Sequence, residues 1–497
     1  MGKVLFVYPN NSNIVFISNS VAIFSCIARG YFWEVDYYDT CIYKKETEEF
    51  NLKEISGEFK ASGHSNTIKY KPFSNIVKDL QTKIDNIQPT VIAISCMSIE
   101  YEYLLDFYPD VKIPENTIVV IGGIHPTLEP EAVIKSGLFD LVCVGDGEEV
   151  FEEIITRIDK GLDLNNIKGT FFKDKNTGLI NRNPQRNLLS EKGLFKYELD
   201  YSLFNEEYFV YPFDGKLFRR INFIIARGCP YNCTYCGNSA LAEASKGLGR
   251  FVRTRPSDSI KTGIKKLISD YRIELFNFQD ECFLSHSTNW LKELAKWYGQ
   301  DIKKPFLIQT RPETITEEKI GILKQMNSPF FQVSMGVESG SEKILFDVCN
   351  RKTKISKIIK AFDLLHKHNI RTCAYFMVGF PFETREDIFE SIKLCKRIKP
   401  TVVAIAIFTP LPGQKLRDVC LENGFITGNE RLESFYSSSM LKMPQLSANE
   451  IVSLRRTFNL YAYLPEKYYP DIEKCERNYF SNKELLKELV QLRWNQG

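Results

Sequence analysis

The chain of 497 residues carries 65 basic and 62 acidic side chains, a formal net charge of +3, and 43% of its residues are hydrophobic. This balance, without an extended basic run, argues against nucleic acid or an anionic membrane as a partner. No stretch approaches the roughly 18 apolar residues of a spanning helix, and the N-terminus turns polar too soon for a secretory signal. We therefore expect a cytoplasmic protein of about three domains.

Residues 1–160 alternate short apolar runs with segments of helical periodicity. The runs lie at 4–9, 35–39, 91–96, 117–123 and 141–147. Apolar strands separated by helices predict a doubly wound, Rossmann-like parallel sheet. Two runs end in glycines, Gly122 with Gly123 and Gly145 with Gly147, where an open α/β sheet can admit a ligand to its backbone. Tight strand-to-helix turns are the alternative explanation of these glycines.

Residues 161–215 interrupt this alternation. The stretch GTFFKDKNTGLINRNPQ predicts a β-hairpin that turns at Asn176, Thr177 and Gly178. The polar, aromatic-rich stretch that follows it is interpreted as a linker.

Residues 216–425 return to strands separated by helices. The candidate strands lie at 222–228, 275–281, 305–311, 330–339, 371–380 and 401–409. Six such units predict a closed or partial (β/α)6, TIM-like barrel, in which functional residues lie where strands run out into loops. Polar groups stand at those places, with Asp280 and Glu281 after the second strand, Arg311 after the third and Glu338 after the fourth. Residues 426–497 have a helical pattern and no motif that we could interpret.

Three of the thirteen cysteines, Cys229, Cys233 and Cys236, stand together after the first of these strands. A closed zinc site needs four ligands, and the nearest further sulfur is that of the distant Cys282. Three thiolates suit a 4Fe–4S cluster that keeps one iron open for a substrate or cofactor. Zinc is the alternative.

The stretch RGCPYNCTYCG resembles the cysteine motif of the radical S-adenosylmethionine (SAM) superfamily. The resemblance rests on the spacing Cys-x3-Cys-x-aromatic-Cys and on its place after a strand that opens a β/α barrel. It implies that the open iron holds SAM and that an electron from the cluster cleaves SAM to methionine and a 5′-deoxyadenosyl radical. A reducing partner such as flavodoxin or ferredoxin is implied by the same chemistry.

Later stretches are similar to one large subgroup of this superfamily. FNFQDECF departs from the usual Gly-Gly-Glu of the family and resembles the Asp-Glu variant of the subgroup, while TRPETI, MGVESGS, MVGFPFET and TPLPGQKL match its later strand ends. For Arg311 and Glu338 the alternative is a barrel-mouth ion pair. The SAM contacts that the resemblance implies are Tyr235, Asp280, Glu281, Arg311, Glu338 and Gly379.

The subgroup carries a cobalamin-binding domain before the barrel, and residues 1–160 resemble one. The stretch VIGGIHPTLEPEAVIKSGLFDLVCVGDGEEVFEEI supplies the closest match. His125 does not stand in the Asp-x-His-x-x-Gly pattern that ligates cobalt elsewhere, and we expect it in a turn. A domain that binds nothing is the alternative. The cobalamin contacts that the resemblance implies are Ser95, Gly122, Gly123, Gly145 and Gly147.

The resemblance implies a cobalamin-dependent radical SAM enzyme, most simply a C-methyltransferase acting on an unactivated carbon of a small molecule. A radical cyclase, ring-rearranging or oxidative enzyme without methyl transfer is the first alternative. A zinc-stabilised binding module is the second. The sequence identifies no substrate and no catalytic acid or base.

Overall fold

The computed structural model describes residues 1–12, 15, 17–44, 52–58, 69–174 and 177–495. The chain forms two units. Residues 1–48, 64–222 and 240–263 make up the first unit, and residues 49–63, 223–239 and 264–497 make up the second. The domain boundaries expected at 160, 215 and 425 stay predictions. Within the described ranges, no helix has the length and apolar character that crossing a bilayer requires.

The N-terminal part of the chain, up to residue 215, alternates strands and helices. Its strands are β1 (Lys3–Tyr8), β2 (Glu34–Asp39), β3 (Tyr43–Lys44), β4 (Lys71–Pro72), β5 (Val91–Ser95), β6 (Ile118–Gly122), β7 (Leu141–Cys143), β8 (Thr170–Lys173), β9 (Ile180–Arg182) and β10 (Val210–Phe213). Its helices are α1 (Asn19–Gly30), α2 (Leu52–Ile55), α3 (Ile76–Ile87), α4 (Ser98–Leu104), α5 (Ile124–Leu128), α6 (Pro130–Lys135), α7 (Glu148–Asp159) and α8 (Glu191–Leu194).

The sheet of the first unit has the order β2–β1–β5–β6–β7–β8–β9, in which β2 to β7 are parallel. Leu5 of β1 belongs to a core that includes Leu80 of α3. The next residue, Phe6, points to the opposite face, where its ring lies 5.9 Å from that of Phe151 in α7. Because helices cover both faces, the central strands β5, β6 and β7 have almost only apolar residues. The predicted doubly wound sheet is confirmed.

The predicted hairpin is confirmed as the antiparallel pair of β8 and β9. Strand β8 also pairs antiparallel with β7, so the hairpin extends the parallel sheet. Of the predicted turn residues, Asn176 lies outside the described residues.

The C-terminal part of the chain carries the second set of β/α units. Its strands are β11 (Lys216–Phe223), β12 (Ala226–Arg227), β13 (Arg253–Thr254), β14 (Leu275–Phe278), β15 (Phe306–Thr310), β16 (Phe331–Glu338), β17 (Arg371–Val378) and β18 (Val402–Ile407). Its helices are α9 (Gly237–Ala244), α10 (Ser257–Tyr271), α11 (Thr288–Asp301), α12 (Glu317–Gln325), α13 (Ile355–Lys367), α14 (Arg385–Ile398), α15 (Lys415–Glu422), α16 (Ala448–Tyr463), α17 (Tyr469–Arg477) and α18 (Lys483–Asn495).

The second sheet has seven strands in the order β10–β11–β14–β15–β16–β17–β18, in which β10 pairs antiparallel with β11 and β14 to β18 are parallel. The strands β11 and β14 to β18 confirm the partial (β/α)6 barrel, and β10 adds an edge strand to it. The first predicted strand, 222–228, is interrupted, because β11 ends at Phe223 and the N–H groups of Ile225 and Ala226 donate to the Asp280 carboxylate (2.9 and 3.0 Å). The helical region expected from 426 begins only at Ala448, after an irregular stretch.

A buried ion pair covers the edge strand β18. The Glu58 carboxylate accepts the N–H of Ile405 (3.1 Å) and is paired with the Arg455 guanidinium, which donates to the Ile405 carbonyl (3.2 Å). Both charged side chains are 2% exposed. The pair therefore satisfies backbone groups that a further strand would otherwise bind.

Replacing Arg455 with Met should destabilise the second unit strongly, because the Glu58 carboxylate would stay buried without its counter-charge. A loss of about 3–5 kcal/mol is typical of such single deletions. The double variant E58Q/R455M should recover a large part of the loss, measured as the midpoint of thermal unfolding. Equal unfolding midpoints for the wild type and R455M would contradict a stabilising pair.

Candidate functional site

The three clustered cysteines lie on the loop between β12 and α9, at the carboxyl edge of the second sheet. Cys233 is buried, whereas Cys229 and Cys236 are half-buried. The Ser239 hydroxyl donates to the Cys233 carbonyl (2.8 Å), and the Cys236 N–H donates to the same oxygen (3.2 Å). Burial raises the pKa of the Cys229 thiol to about 12, and it also raises the pKa of Cys236. These thiols therefore need a bound cation to become thiolates.

The described side chains do not favour a single-metal site at this loop. No group of three or more His, Cys, Asp or Glu residues within the described ranges is placed to hold one metal ion. Cys282 is buried near Cys229, and its sulfur lies 3.4 Å from the Thr310 hydroxyl. A zinc ion would need all of its ligands around one centre, whereas a cluster binds each thiolate to a different iron.

Arg311, which follows β15, reaches the cysteine loop. Its Nη1 donates to the sulfur of Cys233 (3.3 Å), and its guanidinium lies 3.9 Å from the ring centroid of Tyr231. Its Nε donates to the Glu313 carboxylate (2.5 Å). Arg311, a predicted SAM contact, thus places its positive charge against a cysteine sulfur. It also forms an ion pair with Glu313, as the alternative describes.

Glu338 stands at the end of β16 in a buried network. Its carboxylate accepts from Nη1 of Arg351 (2.8 Å), and the same nitrogen lies 3.1 Å from the Tyr235 hydroxyl. Nη2 of Arg351 donates to the carbonyl of Gly336 (2.8 Å). Burial raises the pKa of the Glu338 carboxyl. The alternative of an ion pair is therefore also observed here, and the network holds Tyr235.

A glycine makes room for this network. Glu338 has a φ of +66°, and the pairing of β16 with β17 is irregular between Gly336 and Glu338. A Cβ added at Gly336 would lie 2.3 Å from the Glu338 carboxylate. The carboxylate folds back over its own strand because Gly336 has no side chain. Sequence reasoning missed Arg351, whose only signal is a basic residue in a loop.

The two acidic residues after β14 have different surroundings. Asp280 is 2% exposed, and its second oxygen lies 3.0 Å from Nε2 of His286, while its first accepts the two N–H groups described above. Glu281 is exposed to solvent yet largely surrounded by protein, including Asn238, and this desolvation raises the pKa of its carboxyl. Glu281 is therefore the carboxylate that a ligand can reach, whereas Asp280 holds the backbone of Ile225 and Ala226 in place.

Gly379 begins a turn that a buried carboxyl organises. Oε2 of Glu383 accepts the N–H groups of Gly379 (2.5 Å) and Phe380 (3.2 Å). Gly379 has a φ of +83°, and an added Cβ would lie 2.8 Å from Ile451. The Phe380 ring packs edge-on to Tyr235 at 5.7 Å. The turn therefore supports Tyr235, one of the predicted SAM contacts.

The predicted cobalamin contacts lie at the carboxyl ends of β5, β6 and β7. Ser95 pairs in register with Gly122. A Cβ at Gly123 (φ +108°) would lie 2.5 Å from the Cys96 carbonyl, and one at Gly147 would lie 3.0 Å from Phe24. Gly145 has a φ of +86° and no heavy atom of the described residues within 4 Å of an added Cβ. Gly123 and Gly147 thus serve close packing, whereas Gly145 exposes backbone.

His125 is enclosed in the first unit. Its ring stacks on Tyr101 at 4.3 Å, and its Nδ1 lies 3.2 Å from the Ser98 hydroxyl. Burial lowers the pKa of the imidazole to about 4. The ring is therefore neutral, and its position agrees with a role in the turn.

Sequence reasoning missed an acidic cluster at the same edge. The Tyr8 hydroxyl donates to Glu100 (3.0 Å), and Asp39 accepts from the hydroxyls of Tyr37 (3.0 Å) and Tyr208 (3.1 Å). Burial raises the pKa of Glu100 to about 7 and that of Asp39 to about 6. Tyr8 and Asp39 are the last residues of β1 and β2, and this position at strand ends is the sequence signal that could have identified the cluster.

Two family models match the chain. The model described as the radical SAM superfamily matches residues 223–395, and the model described as the B12 binding domain matches residues 27–155. The first range contains the cysteine loop, Arg311, Glu338 and Gly379. The second contains the predicted cobalamin contacts.

The relatives include methyltransferases and a cyclase. An uncharacterized methyltransferase of Pyrococcus horikoshii is 24% identical over 394 residues, covering 78% of this chain and 82% of that protein. The anaerobic magnesium-protoporphyrin IX monomethyl ester cyclase of Rubrivivax gelatinosus is 24% identical over 367 residues, covering 72% of this chain but only 63% of the cyclase. The structure of the radical SAM methyltransferase TsrM from Kitasatospora setae, with cobalamin and a [4Fe-4S] cluster bound, aligns with a TM-score of 0.63 at 14% identity, covering 98% and 89% of the two chains. This likeness shows a shared fold.

Replacing Glu383 with Gln should flatten the pH dependence of stability. Burial raises the pKa of this carboxyl from 4.5 to about 8, so folding favours its protonated form. The stability that this preference contributes is complete below pH 4.5 and is lost as the pH rises to about 8. We expect the unfolding midpoint of E383Q to rise relative to that of the wild type across this range.

The control for this experiment is E390Q on the exposed face of α14, where the carboxylate pairs with Lys393. Its unfolding midpoint should follow that of the wild type at every pH. A constant difference between E383Q and the wild type from pH 4.5 to 8 would show that the carboxyl does not titrate in this way.

Proposed function

Since this chain combines a radical SAM domain with a B12-binding domain, we propose that it is a cobalamin-dependent radical SAM enzyme that methylates an unactivated carbon of a small molecule. The observation that carries the proposal is the cysteine loop at the carboxyl edge of the β/α sheet, with Arg311 against Cys233 and the accessible Glu281 beside it. The relatives that are methyltransferases support methyl transfer.

The residues of the second unit fit an iron–sulfur cluster. Cys229, Cys233 and Cys236 would hold it, and burial, which raises the pKa of Cys229 and Cys236, favours the protonated form of these two thiols in the absence of iron. Arg311 would offset the negative charge of the cluster through Cys233. A cluster held there would, with SAM, supply the chemistry for abstracting a hydrogen atom from the substrate.

We assign the SAM contacts from the exposure and the hydrogen bonds of each predicted residue. Glu281 would accept the amino group of SAM, because a carboxylate that solvent reaches can also meet a ligand. Tyr235 would lie beside the adenine, held by Arg351 and the Phe380 ring. Gly379 would present backbone to the nucleoside. Glu338 would act by orienting Tyr235 through Arg351, and Asp280 would fix the strand end, so neither would touch SAM directly.

The first unit fits cobalamin in part. Gly145 presents open backbone, and Ser95 is half-buried at the same edge, so both would line the corrin or its nucleotide tail. Gly122, Gly123 and Gly147 would shape the turns around it. Cobalamin held there would supply methyl-transfer chemistry. His125, which is enclosed and neutral, would not ligate the cobalt.

We place the enzyme in the cytoplasm with a reducing partner. All thirteen cysteines are free in this structure, which suits a reducing compartment. A flavodoxin or ferredoxin would supply the electron. The cyclase relative favours one alternative, a radical reaction that closes a ring and transfers no methyl group.

The test uses protein reconstituted anaerobically with iron, sulfide and cobalamin. With SAM and dithionite it should release 5′-deoxyadenosine, and with deuterated-methyl SAM and a small-molecule extract it should yield a product that carries the intact label. C233A should release none, while C282A, which changes another buried cysteine, should keep most of the activity. Absence of 5′-deoxyadenosine would contradict the radical chemistry, and its release without label transfer would favour the cyclase-type alternative.

Replacing Arg311 with Gln should weaken retention of the cluster, because the cation against Cys233 is lost. Groups that orient metal ligands typically contribute about 10- to 100-fold in metal affinity. We expect iron to be lost to a chelator about tenfold faster in R311Q, measured by absorbance. R397Q, which breaks the exposed pair with Asp363, is the matched control and should match the wild type. Unchanged iron loss in R311Q would contradict the role of Arg311.

A further inference from the structure

We propose that an exposed set of five lysines, here called the lysine face, docks an acidic electron-carrier protein of the flavodoxin type. This inference rests on the proposed function, because the carrier would deliver the electron that the cluster needs. The lysine face consists of Lys343, Lys352, Lys354, Lys357 and Lys360, all of which are exposed.

Few carboxylates neutralise the positive charges of the lysine face. Within the described residues, Lys354, Lys357 and Lys360 make no ion pair with a carboxylate. The acidic residues of the stretch 342–360 are Glu342 and Asp347, so lysines outnumber acids five to two. An exposed surface with unpaired positive charge produces a field that attracts an anionic partner.

The residues packed against the lysine face do not cancel its charge. Arg351 points inward and is neutralised by Glu338, so it adds nothing to the exposed field. Lys343 lies near Asp387, which is the least favourable neighbour for docking. Lys415 is also exposed, and the next residue, Leu416, donates its N–H to the Thr234 carbonyl of the cysteine loop (3.1 Å).

Hydrogen bonds join residues 348–350, which lie between Lys343 and Lys352 in the sequence, to the cysteine loop. The exposed Asn350 donates from its side chain to the Asn232 carbonyl (2.8 Å). The Thr234 hydroxyl donates to the Val348 carbonyl (2.6 Å), and the Thr234 N–H donates to the Cys349 carbonyl (3.3 Å). Cys233 lies between the two anchored loop residues, so a route of bonds and one hydrogen bond runs from the surface to a cluster sulfur.

The chemistry of the step fits a small acidic carrier. One electron leaves the reduced carrier, which is oxidised by one electron, and enters the cluster, which is reduced by one; no bond forms and no proton moves. Such a partner must arrive and leave quickly. Charges around a contact raise the association rate more than the affinity, and they do so in a salt-dependent way. Lysines on an exposed loop and helix suit that transient encounter.

The experiment compares two charge-reversed holoenzymes with the wild type. K352E/K354E/K357E reverses the lysine face beside the cysteine loop. The control K296E/K324E/K396E makes the same charge change at exposed lysines of α11, α12 and α14 that make no ion pair with a described carboxylate. These control lysines lie in the second halves of their helices, towards the amino ends of the strands that follow.

Two reductants separate docking from cluster integrity. Association of purified flavodoxin is measured by surface plasmon resonance at low and high salt, and bleaching of the cluster is followed with reduced flavodoxin or with dithionite. We expect K352E/K354E/K357E to bind flavodoxin about tenfold more slowly at low salt, a typical size for electrostatic steering. Bleaching by flavodoxin should slow accordingly, while dithionite bleaches all three proteins at one rate.

If flavodoxin associates with both variants at the wild-type rate, the docking proposal is overturned, because the lysines are then only a solvated surface. A wild-type association rate that does not change with salt would overturn it as well, without need of any variant. Clusters that no reductant bleaches in any of the proteins would instead count against the proposed function. Slower association in both variants to the same degree would show that net charge, and not the lysine face, attracts flavodoxin, which also contradicts the proposal.

Discussion

The parallel order of the strands is the constraint on which both candidate sites depend. Parallel neighbours bring their carboxyl ends to one edge, so residues far apart in sequence meet there. In the second unit this places Arg311, at the end of β15, against Cys233 of the cysteine loop. It also brings Glu338 at the end of β16 to Tyr235 through Arg351. An antiparallel pairing would send alternate strand ends to opposite edges and separate these groups.

Desolvation gives these edges their chemical character. Burial raises the pKa of Cys229, Cys236 and Glu281 in the second unit. Burial also raises the pKa of the Asp39 and Glu100 carboxyls in the first unit. Ionisable groups kept in poorly solvated places without full compensation are typical of functional sites. Iron at the cysteine loop would add positive charge to that of Arg311, which lies against Cys233.

The fold permits more than one reaction. Methyltransferases and a ring-closing cyclase are similar to this chain over most of its length. The residues proposed to hold the cluster and SAM would generate a radical, and none of them is proposed to bind the substrate. Under this proposal the reaction is decided by the molecule that lies beside the radical, because one fold can host several functions.

The sequence predicted the elements well where the pattern is local. Continuous apolar runs identified the central parallel strands of both sheets, because a strand buried on two faces has few polar positions. The edge strand β10 and most of β11 were not predicted. Cysteine spacing identified the loop, since three thiols within eight residues must lie near one another. The region after 425 was less predictable, because residues 426–447 have apolar residues without adopting a helix, and several of them are buried by contacts distant in sequence.

The sequence by itself therefore determined the two sheets, the cysteine loop and the residue types at the strand ends. Only the tertiary structure decided what each of those residues contacts. It turned Asp280 towards the backbone of Ile225 and Ala226, paired Glu338 with Arg351, and joined Glu58 to Arg455 across nearly four hundred positions. The physical reason is that a buried charge needs a partner, and the fold can supply that partner from a residue far away in the sequence. Local periodicity does not indicate which residue this is.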